Sequence, residues 1–356
     1  MTPVTKAYLP NREKYQAYVD RIYDSGWLTN NGALVQELES RLADYLGVKN
    51  LICVANGSLA LQVAYKALKL KGEVITTPFS FVATTSTMSW EGLRPVFADI
   101  SPLSFNLEPS NIESLITSNT SAIIPTHVFG NPCEVEEIQS IAKKYNLKVI
   151  YDAAHAFGVK YKDKSILNYG DISVLSFHAT KLFHTIEGGA IITNDDEVAK
   201  KIRLLINFGI ANAVTVESLG INAKMNEMEA AMGLCVLDEI DAICIKRKNV
   251  WQAYQQQLSN LAFQRWNAYS KNNYAYAPVL FESESKALEA EGKLKSSNII
   301  PRRYFYPSLD TLNYLQTNQI CETSRDIASR ILCLPIYHSL KQDELNRIIE
   351  NIKRVN

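Results

Sequence analysis

Short apolar runs alternate with segments of helical period through most of this chain. Runs at Leu51 to Val54, Val74 to Thr76, Pro95 to Ala98, Ala122 to Pro125, Val149 to Tyr151, Ile172 to Ser176 and Ala190 to Thr193 are brief and nearly uninterrupted. That pattern predicts strands buried on both faces. Leu34, Leu38, Leu42 and Leu46 recur at a spacing of four before Gly47, which predicts a helix stopped by glycine. A second helix is expected to open at Asn56-Gly57-Ser58 and run to about Leu70. Its polar Gln62, Lys66 and Lys69 share one face and leave the others apolar. A helical region from Asn226 to about Leu258 leads toward the C-terminal part, and Leu345, Ile348, Ile349 and Ile352 mark one face of a last helix. Strands alternating with helices predict an α/β fold whose sheet is covered on both faces. At 356 residues the chain is long enough for a main domain, 1–235, and a smaller one, 236–356.

The chemistry concentrates in Ser176-Phe177-His178-Ala179-Thr180-Lys181, followed by Glu187-Gly188-Gly189. A lysine in a turn between two buried strands is desolvated. Desolvation lowers an ammonium pKa and frees the amine to form a Schiff base with a carbonyl. The cofactor aldehyde that dominates such chemistry is pyridoxal phosphate, and it needs an anion at its ring nitrogen and a phosphate cradle. Asp152, at the carboxyl end of the Lys148 to Tyr151 run, is the candidate anion. Gly57 and Ser58, at the start of a largely buried helix, are the candidate cradle, because such a start offers unpaired N–H groups and a positive dipole end. Ser176 is a further donor. Each residue also has a plain reading, since Asp at a strand end caps or turns and Asn-Gly-Ser caps helices. Their order and spacing together favour the cofactor site.

Those motifs, with Gly26-Trp27-Leu28-Thr29, Phe79-Ser80-Phe81-Val82-Ala83-Thr84, Pro95-Val96-Phe97-Ala98-Asp99, His127-Val128-Phe129-Gly130, Asp152-Ala153-Ala154-His155-Ala156-Phe157-Gly158, Asn207-Phe208-Gly209 and Met225-Asn226-Glu227, resemble the DegT/DnrJ/EryC1/StrS sugar aminotransferases over nearly the whole chain. The resemblance implies an aspartate aminotransferase-like (type I) fold, with a mixed, mostly parallel sheet and a smaller C-terminal α+β domain. It implies that Lys181 carries the cofactor and shuttles the proton, that Asp152 pairs with the ring nitrogen, that Ser58, Leu59 and Ser176 hold the phosphate, and that Phe81 stacks on the ring. Asn207 matches an asparagine that reaches the neighbouring subunit's cofactor, which implies a homodimer with shared active sites. His155 stands where the family commonly has Gln beside the ring 3-hydroxyl, and Phe208 where it usually has His. Relatives whose lysine is replaced by His are dehydratases, so Lys181 favours transamination.

Phe177-His178 before the lysine and Glu187-Gly188-Gly189 after it are most similar to members that aminate the 4-position of a nucleotide-linked keto sugar. The implied substrates are dTDP-4-keto-6-deoxyglucose and L-glutamate. The runner-up is 3-amination of a related keto sugar, and a regulator without catalysis is the reading from another class. Trp27, Thr29, His127 and Lys224 are sugar or nucleotide contacts or else core and rim residues, with Lys224 expected across the dimer. Glu187 is either a substrate contact or an acceptor for turn N–H groups.

Composition narrows the partners. Thirty-seven basic residues balance 37 acidic ones, so bulk charge gives no reason to expect nucleic acid or a membrane surface. Six scattered cysteines form no CxxC pair and suggest no metal site, and several sit in apolar runs, which fits a reduced cytoplasmic setting. Neither a leader nor a membrane-spanning run is expected.

Overall fold

The computed structural model describes residues 1–315 and 317–355. The seven expected strands join one sheet in the spatial order Asn50–Val54, Gly189–Thr193, Ile172–Ser176, Lys148–Asp152, Thr120–Ile124, Glu73–Thr76, Arg94–Phe97. Pairing is parallel from Ile172–Ser176 through Arg94–Phe97, whereas Gly189–Thr193 runs antiparallel to both neighbours. This reversal matters for the site. Gly189 pairs with Val54 and with Ser176, so the antiparallel strand begins at the edge where its neighbours end.

Side chains alternate across the sheet, as strand geometry requires. Leu51, Cys53, Ile75, Ile123, Val149 and Leu175 pack on one face with Leu38 and Leu42. Ile52, Val54, Val74, Ile124, Ile150 and Val174 pack on the other with Leu61 and Ile202. The helix Ala33–Leu46 buries the leucines spaced at four, and Gly47 ends it at φ 65°, a left-handed turn that suits glycine. Its start has no local cap. Glu227 supplies one from far along the chain, accepting the N–H groups of Leu34 at 2.8 Å and Val35 at 3.0 Å, which accounts for a carboxylate buried to 2 % exposure.

Two expectations change. The helix from the Asn-Gly-Ser segment spans Gly57–Ala67 and stops earlier than Leu70, with Lys69 at φ 55°. The region from Asn226 to Leu258 is two helices, Glu227–Leu237 and Ile240–Gln257. The first is capped by Asn226 and Glu229 and is buried almost all round. The second has one apolar face. Between them Asp238 meets Lys14 at 2.7 Å and also pairs with Arg41.

A three-stranded antiparallel sheet, Ala262–Phe263, Pro278–Leu280 and Ile331–Cys333, forms beyond these helices. Val250, Tyr254, Val279, Leu294 and Ile348 share its core with the last helix, Gln342–Lys353. Thr2–Pro3 pairs with Ile299–Ile300, tying the amino end to this part. Phe129 and Phe305 stack, and Phe79 meets both edge-on, in a further cluster with Ile327 and Ile331. That cluster carries Tyr276, Arg302 and Tyr304 to the carboxyl edge of the large sheet.

Candidate active site

A cavity of about 280 Å³ opens at that edge. Gly57, Ser58, Phe81, Asp152, His155, Ser176, Lys181 and Glu187 all line it. Strand ends place most of them: Asp152 and Ser176 close neighbouring parallel strands, and Asn56 follows Val54. Ligands of α/β sheets bind outside such ends.

Asn56 caps the helix by accepting the Leu59 N–H at 2.9 Å. The N–H groups of Gly57 and Ser58, first in the helix, have no carbonyl within it to bond. A Cβ on Gly57 would stand 3.0 Å from Ser176 Cβ, so the gap between helix start and strand end is closed to side chains. A concavity lined by free N–H groups and the hydroxyls of Ser58 and Ser176 fits a phosphate.

Asp152 is 6 % exposed. Its Oδ2 accepts the Thr84 hydroxyl at 2.7 Å and its Oδ1 the Ala154 N–H at 3.2 Å. Burial pushes its pKa up, while these two bonds and the Lys181 charge oppose the rise. Thr84 spends its one proton on Asp152, so it must accept from Ser80 at 2.9 Å, and Ser80 in turn accepts from Thr126 at 3.1 Å. Three buried hydroxyls therefore form a directed relay that ends on the carboxylate.

Lys181 Nζ lies 3.2 Å from the Tyr276 hydroxyl. Burial lowers its pKa and the Arg302 charge acts the same way, partly offset by Tyr304 and Asp152. Arg247 fixes the Tyr276 segment: 3 % exposed, it donates to the carbonyls of Tyr274 at 2.9 Å and Ala275 at 2.6 Å, and burial brings its pKa down to about 10.

His155 accepts the Phe129 N–H at Nδ1, 3.2 Å away. Burial, aided by the Lys181 charge, holds its pKa well below the usual value, so the ring is neutral and its proton sits on Nε2. Glu187 points its carboxylate at His178 Nε2, 3.5 Å away. Among the described residues it accepts no turn N–H.

Other expected residues lie elsewhere. His127 is fully buried, stacked on Tyr151 with ring centres 4.6 Å apart, and its Nδ1 accepts the Cys133 N–H at 3.0 Å. That leaves it no surface for a substrate, contrary to the expectation of a contact. Asn207 and Lys224 line a second cavity, where Lys224 Nζ donates to Asn207 Oδ1 at 2.9 Å. Trp27 and Thr29 are exposed and line neither cavity. Leu59 is the third residue of the helix and does not line the cavity, and its N–H is spent on Asn56 Oδ1, so the expected phosphate contact is not available to it here. Sequence reading missed Tyr276, Arg302, Tyr304 and the Ser80-Thr84-Thr126 relay. The run Arg302-Arg303-Tyr304-Phe305-Tyr306 was the available signal.

A half-buried lysine sharing one cavity with a strand-end aspartate beside a helix-start anion cradle, on this mostly parallel sheet, defines a pyridoxal-phosphate-dependent aminotransferase of the aspartate aminotransferase fold. The chain belongs to the DegT/DnrJ/EryC1/StrS aminotransferase family, whose profile matches residues 10–353. It is 44 % identical to dTDP-4-amino-4,6-dideoxy-D-glucose transaminase of Shigella dysenteriae over 99 % of this chain and 98 % of that protein. The crystal structure of DesI in the presence of its TDP-sugar product superposes with a TM-score of 0.93 at 32 % identity, covering 99 % of this chain and 92 % of DesI. NtdA from Bacillus subtilis, solved with bound cofactor PMP, gives a TM-score of 0.89 at 26 % identity over 96 % of this chain and 81 % of NtdA. Among the described residues no helix is long and apolar enough to cross a membrane.

Proposed function

We propose that this chain transfers the amino group of L-glutamate to C4 of dTDP-4-keto-6-deoxyglucose, giving dTDP-4-amino-4,6-dideoxyglucose and 2-oxoglutarate. The observation that carries amino transfer is the desolvated Lys181 amine sharing one cavity with the hydroxyl-anchored Asp152. The sugar assignment rests on the similarity to the Shigella enzyme.

When bound, pyridoxal phosphate supplies a carbonyl that captures amines and a protonated ring that draws electrons from the carbon losing a proton. The N–H groups of Gly57 and Ser58 with the Ser58 and Ser176 hydroxyls would hold its phosphate, Phe81 would cover the ring, Asp152 would keep the ring nitrogen protonated, and His155 Nε2–H would serve the ring hydroxyl. Lys181 Nζ removes the proton from the donor's α-carbon and delivers one to C4 of the acceptor. Its lowered pKa favours the free amine that the first task requires. Tyr276 holds that amine in place between the two.

The protein acts as a cytoplasmic homodimer in which Asn207 and Lys224 complete the partner's site, and Trp27, Thr29 and Glu187 meet the nucleotide sugar. Phe208, Val214, Val216 and Leu219, all exposed in one chain, support an apolar surface for that pairing. We place the boundary between the cofactor-binding domain, 1–235, and the smaller domain, 236–356, in the last turn of the helix Glu227–Leu237, just before the break at Asp238. The test is incubation with cofactor, L-glutamate and dTDP-4-keto-6-deoxyglucose, with the product identified by NMR. An amine at C4 supports the assignment, and an amine at C3 overturns the choice of sugar.

A further inference from the structure

Among the described residues Ile186 is the one β-branched side chain at a positive φ, 74°. A branched side chain strongly disfavours that left-handed region, so something must hold the residue there. Burial does not, because Ile186 is exposed in one chain. The restraint comes from His184, two residues earlier and 2 % exposed. Its Nδ1 accepts the Ile186 N–H at 3.3 Å, and its Nε2 donates to the Tyr8 carbonyl at 2.8 Å. Burial, opposed by the Tyr8 carbonyl, lowers the His184 pKa, so the ring is neutral. The same carbonyl fixes the one ring proton on Nε2 and leaves Nδ1 to accept. The segment that supplies this carbonyl is itself anchored. The Val4 carbonyl accepts the Ile336 N–H at 3.1 Å, the Thr5 hydroxyl donates to the Thr180 carbonyl at 3.3 Å, and Tyr8 meets His338 edge-on.

The strained residue controls the one that follows it. The Thr185 N–H donates to the Phe177 carbonyl at 2.9 Å and the Phe177 N–H donates to the Gly188 carbonyl at 2.8 Å, which fixes the two ends of the turn. Between these points Ile186 and Glu187 can rearrange only as a pair. Two bonds oppose that rearrangement: Ile186 N–H to His184, and the Thr185 hydroxyl to the Glu187 carbonyl. In the arrangement they hold, the Glu187 carboxylate lines the cavity beside Lys181 and stands 3.5 Å from His178 Nε2. Lys181 has separate anchors. Its N–H donates to the His178 carbonyl at 2.9 Å, and Leu182 and Phe183 after it are buried. Release of Ile186 therefore turns Glu187 away and leaves the amine in place. The left-handed state is disfavoured roughly 5- to 30-fold for a residue with a side chain, and a site populated only in part binds more weakly by that fraction.

We propose that His184 is a positioning residue, which holds Ile186 in its left-handed state so that Glu187 faces the nucleotide sugar. This rests on the reading of Glu187 as a contact of that substrate. The test uses cofactor-loaded wild type, His184→Leu, the double variant His184→Leu/Ile186→Gly, and Glu187→Ala. It measures the concentration dependence of the two half-reactions, one with L-glutamate and one with dTDP-4-keto-6-deoxyglucose. His184→Leu should raise the half-saturating sugar concentration roughly 5- to 30-fold, and by more than it raises that of L-glutamate. Glycine enters the left-handed region freely, so the double variant should return to within about 2-fold of wild type. Lost core packing at His184 gives no such rescue. Wild-type sugar dependence in His184→Leu, an equal loss for both substrates, or a loss that Ile186→Gly does not rescue overturns the proposal. If His184→Leu does not fold, His184→Asn and His184→Gln take its place. Asn keeps an acceptor for the Ile186 N–H and Gln keeps a donor for the Tyr8 carbonyl, so His184→Asn should stay nearer wild type, and the reverse order overturns the proposal. Wild-type sugar dependence in Glu187→Ala removes the reading of Glu187 and this proposal together, an outcome distinct from a Glu187→Ala loss that His184→Leu does not reproduce.

Discussion

Thr84→Val tests whether the hydroxyl relay sets the charge of Asp152. The substitution keeps the shape of a side chain that is fully buried and removes the proton now donated to Oδ2 at 2.7 Å. A hydrogen bond to a charged group contributes about 1.5–3 kcal/mol. Burial already pushes the Asp152 pKa up, so losing this donor moves it further in the same direction, by about one to two pH units at 1.36 kcal/mol per unit. Asp152 then takes up its proton at a higher pH than in wild type and can no longer hold the ring nitrogen protonated there. Pyridoxal phosphate affinity, measured by spectral titration between neutral and acid pH, should show its acid-side loss displaced upward in Thr84→Val and unchanged at high pH. Thr84→Ser, which restores the donor, should return the profile toward wild type. Superimposable profiles for wild type and Thr84→Val would refute the reasoning, because the relay would then be packing without electrostatic effect.

Two further outcomes follow from the same geometry. Gly57→Ala places a Cβ 3.0 Å from Ser176 Cβ. Crowding of this kind costs about 1–3 kcal/mol, so cofactor affinity should fall roughly 5- to 150-fold while circular dichroism stays that of wild type. Equal affinity would contradict the cradle. Burial takes His127 down to about 3 in the fold, from an ordinary value of 6.5. The unfolded chain therefore binds the extra proton below 6.5 while the fold refuses it until about 3, and stability falls as pH drops through that window by about 1.4 kcal/mol per unit. Urea midpoints should thus fall less steeply with acid in His127→Asn than in wild type, and parallel slopes would contradict this.

The seven strands were legible because each is a local apolar run, and the leucines at spacing four gave the first long helix. Lys181, Asp152, Ser176 and Gly57 were legible because a parallel sheet delivers its strand ends to one edge, so order along the chain became proximity in space. His127 was misplaced by one residue of strand parity. Thr126 faces the cavity, and its neighbour turns the other way onto Tyr151. The break at Asp238 was hidden because the residues on both sides favour helix and the turn is set by Lys14 and Arg41, more than 190 positions earlier. Tyr276, Arg302 and Tyr304 had no periodic signal. They lie in or beside strands of two or three residues and reach the site only through a sheet built from three distant segments.

The most direct test of the central claim follows the visible absorption of the protein loaded with pyridoxal phosphate. L-Glutamate is added first and dTDP-4-keto-6-deoxyglucose second, with Lys181→Ala in parallel. The account predicts that wild type loses its cofactor band with glutamate, regains it with the sugar and yields the 4-amino product, while the variant does neither at a comparable rate. A wild type that forms no cofactor band, or a Lys181→Ala protein that cycles as fast as wild type, would contradict it.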